Sequence, residues 1–440
     1  MNLKGWAGYP TLKTSLFVSE EINEIQKKIG EGSLIARGNG RSYGDSAIGE
    51  MTTVSMKKFN KIISFDENTG ELIAQAGMLL KDVIKNFLPH GWFPYVTPGS
   101  KFVTIGGMVA ANVHGKNQHK DGCLINFINW IEIINSEGQL LKCSRNLNSE
   151  LFNWTVGGMG LTGIIVNVSL RLKKVETSWI KQKILVTKNL EQTIDLIENN
   201  LNYSYSVAWI DSMKKGNSLG RSIIFLGEHA KILDIKKKNQ KKPLYQKKNF
   251  TFKIPFNFPD WVINKFSLYF LNWFIYWQSF FKRNKKIVEI EKFFYPLDNI
   301  GNWNTVYGHK GFIQYQCVLP LSHSKDGLRE IFSYISKKKI GSFISTLKRF
   351  GKEFGNISFP MEGYSLCIDL KLNNNTLNAA NELDQIVLKY SGRFYLAKDS
   401  RISAKTFHLS DKRFVDFINF RKKNKLNKKF NSNQSKRLQI

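Results

Sequence analysis

The chain has 440 residues, of which 42% are hydrophobic and 13% are aromatic. This composition excludes an intrinsically disordered chain, and the length predicts two or three domains with a buried core. Lysine and arginine number 65 against 35 acidic residues, which gives a formal net charge of +30. Such a charge favours anionic partners, namely nucleic acid, anionic lipid head groups or phosphorylated substrates. A solvated, lysine-rich surface explains the same charge equally well.

The cysteines and the first residues bear on the cellular compartment. Cys123, Cys143, Cys317 and Cys367 form no CxxC pair, and no spacing of histidine and cysteine indicates a metal site. A reducing compartment is the simpler interpretation. Because residues 1–10 lack the apolar core of a signal peptide, we expect a cytoplasmic protein.

Hydrophobic periodicity and turn residues predict the elements in chain order. They are a helix over 19–30, strands over 33–36, 52–56 and 72–76, a helix over 79–88, a long loop over 98–122, a hairpin of 130–135 and 140–144, a short helix capped by Ser149, and a strand over 164–168. From about residue 178 onward glycine becomes sparser, and strands, helices and basic runs alternate. A basic loop is predicted over 236–248 and a basic helical segment over 414–437. The pattern is typical of an α+β fold.

The first of three glycine-rich segments directly follows a predicted strand. It consists of Arg37, Gly38, Asn39, Gly40, Arg41, Ser42, Tyr43, Gly44 and Asp45. Closely spaced glycines let backbone N–H groups approach a phosphate, because no Cβ blocks the approach. The spacing G-x-G-x-x-x-G, with a strand rather than a helix after it, differs from the Rossmann fingerprint. Taken alone, the segment is equally compatible with a plain turn.

Two further glycine-rich segments lie over 98–115 and 157–165. In the first of these, Gly106 and Gly107 open a run of small residues, which suits a helix N-terminus packed against a pyrophosphate. A tight contact between a helix and a sheet is the alternative explanation. Three such segments between residues 37 and 165 are harder to explain as chance turns than one, and together they favour a dinucleotide site.

An aromatic segment over 261–281 reads WVINKFSLYFLNWFIYWQSFF and precedes Lys282, Arg283, Lys285 and Lys286. Its length allows a membrane-spanning helix, but polar residues interrupt it, and tryptophan and tyrosine occur throughout. A segment lying in the head-group region, with cations beside anionic lipid, fits this pattern better. Ordinary core packing, or a lid over a substrate pocket, is the third interpretation. We therefore expect peripheral contact with the inner membrane.

At its glycine-rich segments the chain resembles the vanillyl-alcohol-oxidase-type FAD proteins, which share the PCMH-type FAD-binding domain. Within that superfamily it is most similar to the polyprenylphosphoryl-ribose 2′-oxidase family, the decaprenylphosphoryl-beta-D-ribose 2′-oxidases. Matching stretches run from Gly5-Trp6 to the last residues, and the specific strings are His114-Gly115-Lys116-Asn117 and Ala397-Lys398-Asp399-Ser400-Arg401. The resemblance implies a two-domain fold. An FAD-binding domain of 1–177 would be completed by 393–440, and a substrate domain of 178–392 would be built on an antiparallel sheet.

The resemblance also implies which positions contact FAD and substrate. FAD would be lined by Ala36, Arg37, Gly38, Asn39, Gly40, Arg41, Ser42, Tyr43, Gly44, Asp45, Gly99, Thr104, Ile105, Gly106, Gly107, Ala111, Asn112, Val113, His114, Ile165 and Tyr395. The substrate would meet Lys116, Gln314, Gln316, Lys348, Cys367 and Lys398, beside His114 and Tyr43. Many superfamily members carry a histidine after the second glycine of the first loop, and it bonds covalently to the flavin. Because Arg41 occupies that position, we expect non-covalent FAD.

The catalytic candidates are Lys398, His114 and Tyr43. Oxidation of an alcohol requires hydride transfer to the flavin and removal of the hydroxyl proton by a base. Lys398, which the resemblance places beside the isoalloxazine, would stabilise the reduced ring or act as the base with a lowered pKa. His114 would relay a proton or hydrogen-bond the backbone near the pyrophosphate. Tyr43 suits packing against the flavin better than base chemistry.

The remaining pocket positions carry less specific expectations. Cys367 is expected to be a small buried residue without a chemical step. Gln314 and Gln316 alternate along a predicted strand and therefore share a side, where sugar hydroxyls, the flavin edge or solvent are all compatible partners. Two positions depart from the mycobacterial members, since Ser365 replaces an asparagine and Phe294 replaces a tyrosine. These departures leave the exact sugar and lipid open.

The activity implied by the resemblance is oxidation of the ribose 2′-hydroxyl of a polyprenyl-phospho-ribose to the 2′-keto sugar. A separate NAD(P)H-dependent reductase would then complete epimerisation to arabinose, for an arabinan of the cell wall or a surface polysaccharide. A soluble sugar-alcohol or aldonolactone oxidase on the same scaffold is the alternative within enzymes. A basic nucleic-acid-binding protein is the alternative of another class. It is disfavoured, and no nucleic-acid partner is expected, because the aromatic residues lie in apolar context and not among the basic runs.

Overall fold

The computed structural model describes residues 1–246, 252–281, 286–352 and 355–440. The elements of the first 177 residues are β1 (Asn2–Lys4), β2 (Thr11–Lys13), β3 (Ser15–Val18), α1 (Ile22–Gly30), β4 (Leu34–Arg37), β5 (Thr52–Ser55), β6 (Ile62–Asp66), β7 (Glu71–Gln75), α2 (Leu80–Phe87), β8 (Trp92–Pro94), α3 (Ile105–Ala110), α4 (Gln118–Asp121), β9 (Ile128–Ile134), β10 (Leu140–Ser144), α5 (Ser149–Thr155) and β11 (Ile164–Lys174).

Two sheets organise this part of the chain. Strand β5 lies between β3 and β4, and both pairs are parallel. The second sheet has the order β10-β9-β11-β7-β6, with β8 paired to the far end of β11, and all of these pairs are antiparallel. Because β4 and β5 are parallel neighbours, the chain has to cross over between them. The first glycine-rich segment begins this crossing, and the chain reaches β5 at Thr52 without an intervening helix.

The elements that follow are β12 (Trp179–Thr187), α6 (Leu190–Glu198), β13 (Tyr205–Ile210), β14 (Ser222–His229), α7 (Lys237–Gln240), β15 (Phe252–Lys253), α8 (Lys265–Phe281), β16 (Lys286–Glu289), α9 (Ile290–Phe294), β17 (Ile300–Gly301), β18 (Phe312–Pro320), α10 (Leu321–Lys338), β19 (Ser345–Phe350), β20 (Gly363–Lys371), α11 (Asn374–Lys389), β21 (Arg393–Phe394), α12 (Ala404–Ser410), α13 (Phe414–Lys423) and α14 (Asn433–Leu438). Eight of these strands form an antiparallel sheet in the order β16-β12-β14-β13-β19-β20-β18-β21. Helices α10 and α11 cover one side of β18 and β20 with apolar side chains. The predicted α+β class, with an antiparallel sheet in its second part, is confirmed.

The last residues return to the first parallel sheet. The Leu34 amide donates to the Lys429 carbonyl at 2.8 Å, which ties the C-terminal segment to β4. The Arg437 guanidinium lies 2.8 Å from carboxylate oxygens of both Asp45 and Asp399. One arginine thus joins the end of the first glycine-rich segment to the segment that follows β21.

These contacts support a division of the chain that we propose on structural grounds. An FAD-binding domain would consist of 1–177 with 393–440, and a substrate domain of 178–392. Strand β21 marks the boundary, because it pairs with β18 of the eight-stranded sheet while the residues after it pack on the N-terminal part.

Replacing Arg437 with methionine is expected to lower the free energy of unfolding by about 3 kcal/mol. Asp45 and Asp399 are almost fully buried, so removing their shared cation leaves two carboxylates without it. Urea unfolding followed by circular dichroism measures the change. The matched control is Lys436→Met, which removes only the exposed pair with Glu50 and should cost less than about 1 kcal/mol. Equal losses in the two variants would contradict a structural role for Arg437.

Three local predictions differ from the structure. The basic segment over 414–437 is two helices, α13 and α14, because Lys425 adopts a left-handed φ of 54° and the intervening chain bonds to β4 instead. The loop over 98–122 contains two short helices, α3, which begins beside Gly106 and Gly107, and α4, which is a single turn. Ser149 is the first residue of α5, and Asn148 precedes it as the cap position.

The aromatic segment forms helix α8, which packs one side on the eight-stranded sheet and exposes the other. Over the described ranges, no helix is both long and apolar enough to cross a membrane. The basic loop over 236–248 contains the single helical turn α7. Its last two residues, and Lys282, Arg283 and Lys285 after α8, lie outside the described residues.

Candidate active site

A cavity of about 720 Å³ lies where the three glycine-rich segments face the eight-stranded sheet. The positions expected to contact FAD that line it are Ala36, Gly38, Asn39, Gly40, Arg41, Ser42, Tyr43, Gly99, Thr104, Gly106, Gly107, Ala111, Val113, His114, Ile165 and Tyr395. The positions expected to contact substrate, all of which line it, are Lys116, Gln314, Gln316, Lys348, Cys367 and Lys398. The fold therefore brings together stretches that are up to about 360 residues apart in sequence.

Five expected cofactor positions lie behind the wall and not on it. The Arg37 guanidinium donates to the carbonyls of Ala47 and Lys4, at 3.2 and 2.8 Å. The Asn112 side chain donates to Ser358 at 3.0 Å. The others are Gly44, Asp45 and Ile105, which are occupied by contacts with the C-terminal segment or the core. These five residues shape the wall without facing the cavity.

The second glycine-rich segment approaches β7 so closely that it leaves no room for a side chain. The Gly106 amide donates to the Ala76 carbonyl at 2.7 Å, and a Cβ on Gly106 would lie 2.7 Å from the Ala76 Cβ. The Thr104 hydroxyl accepts from the Gly107 amide at 3.2 Å and so caps α3. The start of α3 is thus fixed against the sheet, and its main chain forms part of the cavity wall. The helix–sheet contact that the sequence suggested is present at this point. The contact with a pyrophosphate stays a prediction, since the amides of Gly106 and Gly107 are bonded to Ala76 and Thr104.

Replacing Gly106 with alanine is expected to weaken FAD binding by about tenfold. The added methyl group has to displace α3 from β7, which moves main chain that lines the cavity. Fluorescence titration of the apoprotein with FAD measures the dissociation constant. Gly30→Ala is the matched control, since a Cβ there meets nothing within 4 Å. Unchanged FAD affinity in Gly106→Ala would mean that this contact does not shape the cofactor site.

Arg41 and Trp6 close one side of the cavity. The Trp6 amide donates to the Ser42 carbonyl at 2.8 Å, and the Arg41 guanidinium carbon lies 3.8 Å from the centre of the Trp6 ring. The Phe102 ring lies on a second side of the guanidinium, at 5.1 Å. Burial lowers the pKa of Arg41 from its usual value. Because a guanidinium is so strongly basic, the side chain still places a cation on the cavity wall. Sequence reasoning missed Trp6 as a wall residue, although it belongs to the first matching stretch.

Lys398 and Tyr43 meet at the centre of the site. The Lys398 ammonium lies 3.6 Å from the centre of the Tyr43 ring, and the Tyr43 amide donates to the Ala397 carbonyl at 3.0 Å. Burial lowers the pKa of Lys398 to about 8. Burial also raises the pKa of the Tyr43 hydroxyl well above 10, so that side chain stays neutral. Of these two groups, Lys398 is therefore the one whose pKa lies closer to neutral pH.

Asp369 is an acidic group in the site that sequence reasoning missed. Its side chain lines the cavity with 1% of the residue exposed, and the Gln314 amide donates to its Oδ1. Burial raises the pKa of Asp369 to about 7. Among the described residues its Oδ2 has no hydrogen-bond partner. Strand alternation from Cys367 predicts Asp369 on the same face of β20, so the signal was present in the sequence.

His114 contacts the neighbouring strand through a glutamine. The Gln316 amide nitrogen lies 3.3 Å from His114 Nε2 and 3.3 Å from the Ser365 hydroxyl. Burial, with Lys348 and Lys398 nearby, lowers the pKa of His114 well below 6.5. The imidazole is therefore neutral, and Nε2 is assigned as the acceptor of the Gln316 N–H. This arrangement holds Gln316 in place and makes His114 a poor proton carrier.

Two further lysines add positive charge to the same wall. The Lys116 ammonium donates to the Phe294 carbonyl at 3.0 Å, and burial lowers its pKa to about 7. Burial also lowers the pKa of Lys348. Within the described ranges, neither lysine is within ion-pair distance of a carboxylate. Burial disfavours the ammonium form of both lysines, and an anionic ligand beside them would stabilise that form.

One end of the cavity is apolar. Its wall there comes from strands β12, β13 and β14, from helix α8 and from the segment before β19, through Ile184, Val207, Trp209, Ile223, Phe225, Ile275, Phe343 and Ile344. A polar, lysine-bearing region and an apolar region thus form one continuous cavity.

Glycine-rich main chain leaves room for the diphosphate of a dinucleotide, and a buried lysine opposite it can stabilise charge on a reacting group. These two features are compatible with a flavin-dependent oxidoreductase. Residues 18–144 match the family model described as the FAD binding domain. The chain is an FAD-dependent oxidoreductase.

Within that class the chain belongs to the decaprenylphosphoryl-beta-D-ribose oxidase family. It is 35% identical to the decaprenylphosphoryl-beta-D-ribose oxidase of Mycolicibacterium smegmatis over an alignment of 451 positions, which takes in the whole chain and 97% of the relative. More distant similarity extends to a D-lactate dehydrogenase of Anaerostipes hadrus, 26% identical over 45% of this chain and 43% of that protein. An L-gulonolactone oxidase of Mus musculus is 25% identical over 38% of this chain and 37% of its own length. The resemblance stated from the sequence, the FAD cofactor and the enzyme class are confirmed.

Proposed function

We propose that the protein oxidises the 2′-hydroxyl of a polyprenyl-phospho-ribofuranose to the 2′-keto sugar, with FAD bound non-covalently. The observation that carries this proposal is the composition of the cavity, in which a lysine-bearing polar region continues into an apolar one. A lipid-linked sugar phosphate has the same order of groups, with a sugar, a charged phosphodiester and a hydrocarbon chain. The relative in Mycolicibacterium smegmatis, by its name, acts on decaprenylphosphoryl-beta-D-ribose.

The phosphodiester would meet Lys116 and Lys348. Both ammonium groups are buried in the wall, and an anion beside them would restore the charged form that burial disfavours. A neutral sugar or lactone would leave the ammonium forms of these two lysines without a counter-charge. Their presence therefore favours a phosphorylated substrate over a free one.

The prenyl chain would lie on the apolar wall between β12, β13, β14 and α8. Burying hydrocarbon there stabilises the complex by about 0.8 kcal/mol for each CH₂ removed from water. The alternative of a soluble sugar-alcohol or aldonolactone oxidase provides no use for this part of the cavity. Because part of the chain is similar in sequence to an L-gulonolactone oxidase, that alternative is the one to test.

The chemistry divides between the cofactor and a buried acid–base pair. Bound FAD supplies the hydride acceptor. Asp369 would accept the hydroxyl proton through its open Oδ2, while Gln314 fixes Oδ1 and sets the orientation of the carboxylate. Lys398 would remain cationic and stabilise the negative charge that develops beside it. Tyr43 supports the ammonium group through its ring and Gln316 would orient the sugar.

The 2′-keto product has to be reduced by a second enzyme if epimerisation of the sugar is to be completed. We propose an NAD(P)H-dependent reductase as that partner, which would return the ketone to a hydroxyl of the opposite configuration. The pair would then convert a ribose to an arabinose donor for an arabinan of the cell wall or a surface polysaccharide.

Anaerobic flavin bleaching tests the proposal. The enzyme is mixed with polyprenyl-phospho-ribose, with a short-chain phospho-ribose, with free pentoses and with L-gulonolactone, and absorbance near 450 nm is followed. We expect fast bleaching by the polyprenyl substrate, slower bleaching by the short-chain compound and almost none by the free compounds. Faster bleaching by a free sugar or lactone would favour the soluble oxidase. Acid precipitation of the protein should release all of the yellow colour into the supernatant, because Arg41 offers no covalent link.

A further inference from the structure

Helix α8 exposes a continuous aromatic face. We define the aromatic face of α8 as Phe266, Tyr269, Phe270, Trp273, Phe274, Trp277 and Phe281. These residues recur every three or four positions and fall within about 140° of the helix circumference. Phe266 is 74% exposed, Phe270 65% and Phe281 89%. So many large apolar side chains in one exposed patch mark a binding surface rather than the ordinary surface of a soluble protein.

The opposite side of α8 is fixed to the eight-stranded sheet. The Asn272 side chain donates to Asp211 and to the Ser342 carbonyl, each at 3.0 Å. The Tyr276 hydroxyl donates to the Thr187 carbonyl at 3.0 Å. Asn272 and Tyr276 are both buried. These buried hydrogen bonds fix the rotation of the helix about its axis, and the aromatic face therefore points away from the sheet.

The charge around this face is positive. Between residues 261 and 288 the sequence has five basic residues and no acidic one, and the structure describes two of the five, Lys265 and Lys286. Of the described cations, the Lys265 ammonium lies 4.9 Å from the Phe266 ring centre, and the Lys214 ammonium 4.2 Å from the Tyr269 ring centre. Tryptophan and tyrosine are enriched at the water–lipid boundary, and lysines beside them meet anionic head groups. The combination matches an anionic lipid surface.

The same helix also forms part of the cavity. Ile275, Gln278 and Ser279 line the cavity, and Gln278 is exposed as well. The cavity therefore reaches the surface beside the aromatic face of α8. A membrane in contact with that face would lie next to the apolar end of the cavity.

We propose that the aromatic face of α8 docks the enzyme on an anionic bilayer and opens the apolar end of its cavity to the lipid. The aromatic side chains enter the head-group region while the flanking lysines contact anionic head groups. The second half of the proposal rests on the proposed function, since it supposes a substrate whose hydrocarbon chain resides in the bilayer. Such a substrate enters by sliding its sugar phosphate past Gln278 without leaving the membrane.

Flotation of the holoenzyme tests docking directly. Vesicles of phosphatidylcholine, and of phosphatidylcholine with phosphatidylglycerol, are mixed with the protein at low salt and separated on a density gradient. The test variant is Phe270→Ser/Trp273→Ser/Trp277→Ser, which removes exposed rings that do not line the cavity. The matched control is Leu147→Ser/Leu233→Ser/Val415→Ser, which removes three exposed apolar side chains elsewhere. We expect the wild type and the control to float with the anionic vesicles, and the test variant to bind at least tenfold less.

Substrate presentation separates this proposal from the proposed function. In detergent micelles all three proteins should be bleached by polyprenyl-phospho-ribose at similar rates, whereas in bilayers only the test variant should be slow. Failure of all three in micelles would remove the proposed substrate and leave the flotation result to stand by itself. Docking on lipid is overturned if the wild type does not float, or if the test variant floats as well as the wild type. It is also overturned if sedimentation without lipid shows a stable dimer that the test variant loses, since a second copy would then cover this face.

Discussion

Replacing Lys398 with alanine is expected to leave FAD bound and to slow its reduction by substrate by about 100- to 1000-fold. Lys398 lies beyond the glycine-rich wall, beside Tyr43, so FAD should keep its contacts with the main chain. On the proposed function, the variant loses a buried cation next to the group that would gain negative charge. Anaerobic stopped-flow absorbance measures the reduction rate, and the visible spectrum of the purified protein measures occupancy.

Two comparisons make the Lys398 result interpretable. Lys405→Ala removes an exposed lysine on α12 and should change the rate less than twofold. Lys398→Arg keeps the charge and should recover part of the rate. Normal reduction kinetics in Lys398→Ala would take this residue out of the mechanism, and loss of FAD would assign it to cofactor binding.

The cofactor part of the site was predictable because its signal is local. Where the main chain packs closely, as Gly106 does against Ala76, glycine is needed, and it can be recognised directly in the sequence. The three glycine-rich segments together made a dinucleotide site the best explanation. The resemblance then supplied the positions that line it. What neither supplied was which side chains turn inward. Arg37 and Asp45 belong to the first glycine-rich segment, yet both are engaged behind the wall.

The substrate part depended on contacts between distant strands, which composition does not reveal. The apolar wall combines Ile184 of β12 with Val207 of β13 and Ile223 of β14, and each strand alone reads as ordinary core. Asp369 lacked any motif, and only its alternation with Cys367 pointed to the cavity. The break between α13 and α14 was missed for the same reason, because the segment that breaks the helix bonds to β4, almost 400 residues earlier.

The sequence of the aromatic segment supported several interpretations, and the structure of helix α8 distinguishes between them. Its composition allowed a spanning helix, a head-group segment, or a buried lid. The structure gives it a buried polar side, with Asn272 and Tyr276 bonded to the sheet, and an exposed aromatic side. It is therefore a wall of the cavity and an outward-facing surface at the same time. No periodicity argument distinguished these two roles, because apolar, aromatic and polar residues are mixed along the whole segment.

Replacing Asp369 with asparagine is expected to slow flavin reduction by about 100-fold near neutral pH and to change its pH dependence in a defined direction. Asparagine keeps an oxygen for the Gln314 hydrogen bond but neither accepts the proton nor carries negative charge. In the wild type, the rate should rise as Asp369 ionises, near its pKa of about 7, and fall as Lys398 loses its proton, near its pKa of about 8. The two groups interact, so the two limbs of the profile belong to the pair.

The sign of the change in the variant follows from the charges that face Lys398. Burial lowers the Lys398 pKa, Cys367 and the Asp369 carboxylate raise it, and the Lys348 ammonium lowers it. Removing the carboxylate takes away one of the two groups that raise this pKa, so the ammonium form is lost at a lower pH than in the wild type. The falling limb should therefore move below pH 8, and the rising limb should disappear. Lys405→Ala is the control here as well, because that lysine is exposed on α12 and does not line the cavity. Stopped-flow rates between about pH 5.5 and 9.5 measure all three profiles, and a falling limb that stays in place or moves upward in Asp369→Asn would show that the carboxylate does not act on Lys398.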